Sequence, residues 1–203
     1  MKLHWSPKSP YVRKVMVAAH ELGIVDRLTL VRSVAMMSRL NPTLMADNPL
    51  GKIPTLVLDD GTSLYDSRVI CEYLDGLAGS KLFPPAGAQR WWAITMQALG
   101  DGLLDVLILW RNEREKPDHA QTIAWLEGFA AKVTAALNQL ENRAVELAGT
   151  PFNIGHISIG CMLSYLDFRF DNLNWRTGRP ALAGWHADWC RRPAAITTEI
   201  RND

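Results

Sequence analysis

The stretch Lys52-Ile53-Pro54-Thr55-Leu56, followed twelve residues after its proline by Asp66-Ser67, decides the fold of this chain. A proline inside a strand-like run lies at a sheet edge or marks a special backbone, because it removes a ladder donor. Asp66-Ser67 is an N-cap signature, since a side-chain oxygen there satisfies an orphan helix N–H. The first fragment predicts a strand with a special backbone geometry at its proline. The second predicts a later strand that leads directly into a helix.

A third fragment, Ser9-Pro10-Tyr11, predicts an earlier helix. Pro10 suits the first turn, where a missing N–H costs nothing. Gly23 is placed for a left-handed C-terminal cap. The apolar stripe of this helix consists of Val12, Val15, Met16 and Ala19.

The pattern of apolar residues differs between the two halves of the chain, which predicts two domains. Residues 1–78 alternate between β-like and helical runs, 79–87 form a Pro/Gly-rich linker, and 88–203 show helical periodicity. The predicted strands are Lys2–Trp5, Leu28–Arg32, Thr55–Leu58 and Thr62–Tyr65, and the first half's helices start at Pro10, near Ser38 and at Ser67. The predicted helices of the second half are Arg90–Arg114, Thr122–Leu147, Asn153–Phe170 and Pro180–Cys190.

Composition limits the partners of this chain. Its 203 residues are 48% apolar and carry a formal charge of +1, which indicates a sizeable core and gives no sign of a nucleic-acid or anionic-membrane surface. We expect no secretion signal and no apolar segment of membrane-spanning length. The expectation is a soluble, cytoplasmic protein.

The three cysteines, Cys71, Cys161 and Cys190, are widely spaced and odd in number. This pattern favours reduced structural thiols over disulfides or a zinc site. His186 and Cys190 are four residues apart and could share a helix face, but two ligands do not make a metal site. No metal is expected.

Together the three fragments resemble the glutathione site of the cytosolic glutathione S-transferases of bacteria, and the order of the two domains is similar to that family. The resemblance implies a thioredoxin-like N-terminal domain followed by an all-α bundle. It also implies that Pro54 is cis, which exposes the Ile53 N–H and C=O to the cysteinyl backbone of glutathione. Lys52 would reach a glutathione carboxylate.

The same resemblance assigns the γ-glutamyl end of glutathione to Asp66 and Ser67. Ser9-Pro10-Tyr11-Val12 stands where glutaredoxins have Cys-Pro-Tyr-Cys, so dithiol chemistry is disfavoured. Ser9 would instead donate its hydroxyl to the glutathione sulfur, at a helix end that favours the thiolate. An ordinary N-cap is the alternative for Ser9, and Ser6 and Tyr11 are rival hydroxyls.

In the helical half, the family places a capping box at Asn153 to His156, usually with Ser or Thr at the cap and Asp in the place of His156. We therefore expect the reciprocal carboxylate bond to be missing here. The electrophile site is expected between the domains, although core packing explains the same helical spacing more simply. The residues proposed to line it are Leu103, Val106, Leu107 and Trp110, with Arg111 or Arg114 for an anionic group.

The resemblance implies a homodimeric enzyme that binds reduced glutathione and conjugates it to a small hydrophobic electrophile, or reduces a peroxide with it. The alternative is a non-catalytic glutathione- or ligand-binding protein of the same fold. Glutathione-dependent thiol transfer is disfavoured by serine at position 9.

Overall fold

The computed structural model describes residues 1–202, and the chain forms two compact units. One unit comprises Met1–Trp91 and the chain from Pro193 onward, and the other comprises Trp92–Arg192. The first is α/β and the second is all-α, so the predicted fold class is confirmed. The boundaries at residues 78 and 88 stay a prediction from composition.

The first unit contains a mixed four-stranded sheet with the order β2-β1-β3-β4. Strand β1 is parallel to β2 and antiparallel to β3, and β3 is antiparallel to β4. The strands are β1 Lys2–Trp5, β2 Thr29–Arg32, β3 Thr55–Val57 and β4 Ser63–Leu64. All four predicted strands are therefore present, each within a few residues of its expected bounds.

In chain order the helices are α1 Pro10–Glu21, α2 Pro42–Asp47, α3 Ser67–Leu77, α4 Ala88–Arg114, α5 Ile123–Asn142, α6 Ala144–Gly149, α7 Ile154–Arg169, α8 Pro180–Cys190 and α9 Pro193–Thr197. Short 3₁₀ turns join several of them. Helix α9 belongs to the first unit, where the Arg13 Nη2 donates to the Ala195 carbonyl of α9 over 3.1 Å.

Two predicted helices differ from the structure. The helix near Ser38 is absent, and α2 begins instead at Pro42, where the Asn41 side chain accepts from the Leu44 N–H and proline occupies the first turn. The helix predicted over Thr122–Leu147 is two helices, because the chain leaves helical geometry at Arg143 (φ −106°, ψ 7°). Apolar periodicity alone does not reveal such a break.

The core of the first unit lies where α1 and α3 pack together beside the sheet. Leu3 of β1 and Leu56 of β3 are fully buried, as are Ile70 and Leu74 of α3. The predicted stripe of α1 is buried, and Gly23 has the left-handed backbone (φ +70°) expected of a helix terminus. Burial of these faces holds the N-termini of both helices in place.

The second unit is built around α7, in which every residue from Ile154 to Leu166 is buried. Three close approaches need glycine, among them Gly155, where a Cβ would lie 2.7 Å from the Met96 Cβ. A Cβ on Gly100 would lie 2.7 Å from the Ser158 carbonyl carbon, and one on Gly160 would overlap the Trp189 indole. These contacts let α4 and α8 approach α7 closely.

By length and composition, α4 is long and apolar enough to cross a membrane. The expectation that no apolar segment reaches that length was therefore wrong for this helix. Core helices of soluble proteins meet the same criteria, and α4 buries Met96, Leu104 and Leu107 inside the protein. The apolar face of α4 is thus explained by packing.

Candidate active site

The register of the sheet brings three strand ends to one edge. His4 of β1 lies opposite Thr55 of β3, and Leu56 of β3 lies opposite Leu64 of β4. Because both pairings are antiparallel, the end of β1, the start of β3 and the end of β4 share that edge. The peptide groups at these three ends are neighbours in the fold.

All three sequence fragments are attached to this edge. Ser9 follows β1 and begins α1, Pro54 directly precedes β3, and Asp66 follows β4 and begins α3. The N-termini of two helices and the entry of a strand therefore converge within the first unit. Helix N-termini present free N–H groups and positive partial charge, which suits an anionic ligand.

The Ile53-Pro54 peptide bond is cis, as predicted. Strand pairing begins at Thr55, so Ile53 lies just outside the ladder, while Pro54 itself is buried. The Lys52 carbonyl accepts bonds from the Thr55 Oγ1 (2.8 Å) and the Asn48 Nδ2 (3.2 Å), and these bonds hold the turn. The Lys52 side chain is exposed.

Asn48 is a positioning residue that sequence reasoning missed. Its side chain is buried, and its Nδ2 also donates to the Thr55 Oγ1 over 2.9 Å. Its Oδ1 accepts from the Leu50 N–H over 3.0 Å, so Asn48 organises the turn that precedes Lys52. In the sequence, the adjacent Pro49 indicates a turn. Only the fold shows that the Asn48 side-chain amide is buried there.

Asp66 is the N-cap of α3, as predicted. Its Oδ1 accepts from the Arg68 N–H over 2.9 Å, and its side chain is exposed. Ser67 is the first residue of the helix and is buried. The Tyr65-Asp66 peptide bond is also cis, and no pattern in the sequence indicated this.

Ser9 is the N-cap of α1, with its Oγ accepting from the Val12 N–H over 3.2 Å. A hydroxyl that accepts in this way still has its own hydrogen to donate. Ser9 and Tyr11 are half-buried, whereas Ser6 is buried and its Oγ lies 3.4 Å from the Lys8 N–H. Ser9 is thus the more accessible of the two serines.

A polar cluster behind this edge ties α2 to β1. The buried His4 bonds through Nε2 to the Asp47 Oδ2 (2.7 Å) and through Nδ1 to the Ser33 Oγ (2.7 Å), and the Lys2 Nζ reaches the same Asp47 oxygen at 2.6 Å. Hydrogen bonds from Lys2 and then His4 lower the pKa of Asp47. The sequence indicated none of these partners.

Within the helical unit, the predicted electrophile residues fall into two groups. Leu103 and Leu107 are buried, and Val106, Trp110 and Arg111 are half-buried.

The Trp110 ring packs on the rings of Phe129 and Phe170, with centroids 6.5 Å and 5.2 Å away. The Arg111 Nη1 donates to the Tyr165 hydroxyl over 3.3 Å, and Arg114 lies over the Phe170 ring. Their role toward an electrophile stays a prediction.

The capping box of α7 is complete, and the expectation of a missing reciprocal bond was wrong. The Asn153 Oδ1 accepts from the Gly155 N–H (2.9 Å), and the Asn153 N–H donates to the His156 Nδ1 (3.1 Å). The His156 Nε2 donates to the Leu147 carbonyl over 3.0 Å. The Nδ1 of a neutral imidazole thus accepts the hydrogen bond that a carboxylate accepts in a capping box with an acidic residue at this position. Burial lowers the pKa of His156, which favours this neutral form.

Family models match both halves of the chain. The model described as "Glutathione S-transferase, N-terminal domain" matches residues 8–77. The model described as "Glutathione S-transferase, C-terminal domain" matches residues 123–188. The matched regions include all three fragments at the sheet edge.

Relatives and solved structures agree with these matches. The "Uncharacterized GST-like protein YibF" of Escherichia coli (strain K12) is 30% identical over 185 residues, which are 90% of each chain. A glutathione transferase family member from Pseudomonas fluorescens Pf-5, solved with bound glutathione, has a TM-score of 0.95 and 43% identity over 99% of both chains. A structure of a Pf-5 family member with bound S-(propanoic acid)-glutathione has a TM-score of 0.89 and 42% identity over 100% of both chains.

Proposed function

The chain belongs to the glutathione S-transferase family, and from that premise we propose that it binds reduced glutathione and conjugates it to a small hydrophobic electrophile, or reduces a peroxide with it. One observation carries the proposal: the register of the sheet brings the starts of α1 and α3 and the cis Ile53-Pro54 bond to one edge. The similar Pf-5 protein holds glutathione in a fold with a TM-score of 0.95 to this one.

Each part of glutathione has a proposed partner at this edge. The Ile53 backbone pairs with the cysteinyl unit as an added strand does. The N–H groups at the start of α3 bind the γ-glutamyl α-carboxylate, with Ser67 beside them. The exposed Asp66 carboxylate binds the ammonium group, and the exposed Lys52 binds the other carboxylate.

Ser9 is the proposed catalytic residue. Its Oγ accepts from the Val12 N–H, so its O–H hydrogen is available to the glutathione sulfur. The N-terminus of α1 favours a negative charge at the same place. The greater burial of Ser6 supports Ser9 over that rival. Tyr11, which is half-buried like Ser9, stays a weaker third candidate.

Activation of the thiol explains only a small part of any rate acceleration. If the glutathione thiol pKa falls from roughly 8.5 by about two units, the thiolate at pH 7 rises from ~3% to ~75%, but the lower basicity costs about eightfold in nucleophilicity. The net gain is about threefold. Holding the electrophile beside the sulfur must therefore supply most of the acceleration. We assign that role to Leu103, Val106, Leu107, Trp110 and Arg111.

Calorimetric titration with reduced glutathione, followed on the same sample by a conjugation assay with a generic aromatic halide, tests the proposal. Binding with turnover supports the transferase. Binding without turnover, including with a hydroperoxide, would favour the non-catalytic binding protein. No binding at millimolar glutathione would overturn the transferase and the glutathione-binding protein alike, and would leave only a protein of the same fold that binds another ligand.

The proposal includes assembly as a cytoplasmic homodimer, as family members usually assemble. Sedimentation equilibrium across a range of protein concentrations measures that state directly. A monomer at all concentrations would remove the dimer from the proposal and leave the glutathione site untouched.

A further inference from the structure

A nucleophile and a histidine lie together at the end of α8, away from the fragments described above. Cys190 is exposed, and its Sγ lies 3.5 Å from the Nε2 and 4.0 Å from the Nδ1 of His186, one helical turn earlier. His186 itself is buried. The spacing seen in the sequence therefore becomes a close contact in the fold.

Further contacts of His186 show where its hydrogen lies. The Arg176 Nη2 is 3.3 Å from the Nδ1, and a guanidinium only donates, so the neutral Nδ1 accepts and the hydrogen is on Nε2. The Ser164 Oγ lies 3.1 Å from the Nε2 and donates its own hydrogen to the Gly160 carbonyl. The Nε2–H therefore donates to the Ser164 Oγ, and the Cys190 Sγ lies 3.5 Å from the same ring nitrogen.

Charged groups lie beside His186 as well. Arg176 pairs with Asp167 of α7 through two bonds of 2.6 Å and 2.8 Å, and its side chain is about half exposed. The hydrogen bonds to Asp167 raise the pKa of Arg176, and a negative charge on Cys190 acts in the same direction. Asp188 of α8 pairs with Arg191, which directly follows the helix. Arg176 thus contacts the His186 ring as a cation, and the Oδ2 of its partner Asp167 lies 3.8 Å from the same Nδ1. A cation beside a thiol favours the thiolate.

We propose that Cys190 is a reactive thiol that exchanges with small anionic disulfides, of which glutathione disulfide is the type. The Cys190 thiolate attacks one sulfur of the disulfide, a new S–S bond forms, and the old S–S bond breaks. The other half leaves as a thiolate, so the small disulfide is reduced as the protein thiol is oxidised. The exposed part of Arg176 offers a cation to the carboxylates of the incoming molecule.

The chain contains its own controls, because Cys71 and Cys161 are buried. Only Cys190 should react while the protein is folded. The proposal differs in this respect from the sequence-based expectation of three structural thiols.

The first experiment incubates the folded, fully reduced protein with glutathione disulfide and follows intact mass. We expect one glutathionyl adduct per chain, located on Cys190 by peptide mapping, removed by dithiothreitol and absent from C190S. No adduct, or an adduct on Cys71 or Cys161, would overturn the proposal.

The second experiment measures the rate of alkylation by iodoacetamide against pH, with the protein folded at every pH used. We expect the inflection for Cys190 to lie below the value of roughly 8.5 for a free thiol. An inflection at or above that value would overturn the proposal, whatever the variants do.

Two arginine variants test the cause of the reactivity. We expect R176Q to slow alkylation at pH 7 severalfold, and R191Q, which removes an equal charge from the adjacent position, to change it by less than about twofold. Equal effects would overturn the role of Arg176. In D66N, which tests the proposed glutathione site, the labelling of Cys190 should be unchanged, so the two proposals can fail separately.

Discussion

Two helices of the α/β unit, α1 and α3, begin differently from the central helix α7 of the helical unit. In the α/β unit, α1 and α3 are capped by Ser9, which is half-buried, and Asp66, which is exposed, and each cap accepts one backbone N–H. In the helical unit, α7 is capped by Asn153 and His156, which are both buried. The Asn153 side chain accepts from the Gly155 N–H, and the Asn153 N–H donates to the His156 side chain. The first arrangement leaves polar groups available to a ligand, and the second satisfies its polar groups internally.

The difference follows from where each helix begins. A buried helix end has no water to satisfy its orphan N–H groups, so the protein must supply every partner. An end at an accessible sheet edge can leave partners to solvent or to a ligand. A cap residue therefore acts on stability in one unit and, in our proposal, on binding in the other.

The largest expected effect is on the buried cap. We expect H156A to lower the free energy of unfolding by about 2–4 kcal/mol, since it opens a cavity and leaves the Asn153 N–H and the Leu147 carbonyl without their partner. Chemical denaturation followed by circular dichroism measures this loss. H156Q is the control, because a glutamine oxygen can accept the same N–H, and an H156A protein as stable as H156Q would contradict the assignment.

The next effect separates binding from capping at α3. We expect D66N to weaken glutathione binding by about tenfold to a hundredfold, because it removes a charge-assisted bond to the ammonium group. Its stability should be unchanged, since Asn caps as well as Asp does, whereas D66A should also lose about 0.5–2 kcal/mol. Calorimetry and denaturation on both variants test this. Unchanged affinity in D66N would remove Asp66 from the site.

A smaller effect is expected at α1. S9A should lower kcat/KM for conjugation by about threefold at pH 7, which is the net value of thiolate stabilisation. S6A, at the buried serine, should leave it unchanged. Steady-state kinetics with a fixed electrophile compares the two, and the reverse order of effects would assign the sulfur contact to Ser6.

The smallest expected effect is the pH dependence of the free energy of unfolding, which comes from His156 in the buried cap of α7. Because burial lowers the pKa of His156, the unfolded chain takes up a proton below about pH 6.5 that the folded chain does not bind. The free energy of unfolding should therefore fall as pH decreases below that point, and more steeply in the wild type than in H156Q. Parallel denaturation series at several pH values measure the two slopes, and equal slopes would exclude His156 as the cause.

Much of the fold could be predicted because its signals are local. Alternation predicted the strands, Gly23 predicted the end of α1, and the N-cap signatures predicted the starts of α1 and α3. Errors arose at helix boundaries that apolar periodicity does not mark. The helix predicted near Ser38 lies at Pro42–Asp47, and the break at Arg143 is hidden in a continuous apolar pattern.

The candidate site was predicted less completely than the fold. The sequence pattern predicted Pro54, Asp66 and Ser9. It indicated no more than a turn at Asn48, whose burial and bond to Thr55 only the structure shows. The capping role of His156 was also missed, because the chemistry of a histidine depends on which nitrogen carries the hydrogen. Its bond to the Leu147 carbonyl settles that question.

The sequence by itself determined the elements, their order and the residue types at their ends, because caps, prolines and apolar periodicity act within a few residues of one another. The tertiary structure alone decided which of those ends meet at one edge of the sheet, which caps are buried and which thiol lies beside a histidine. Those properties depend on strand register and on packing between distant segments, and burial then sets the charge state and the available hydrogen bonds of each group.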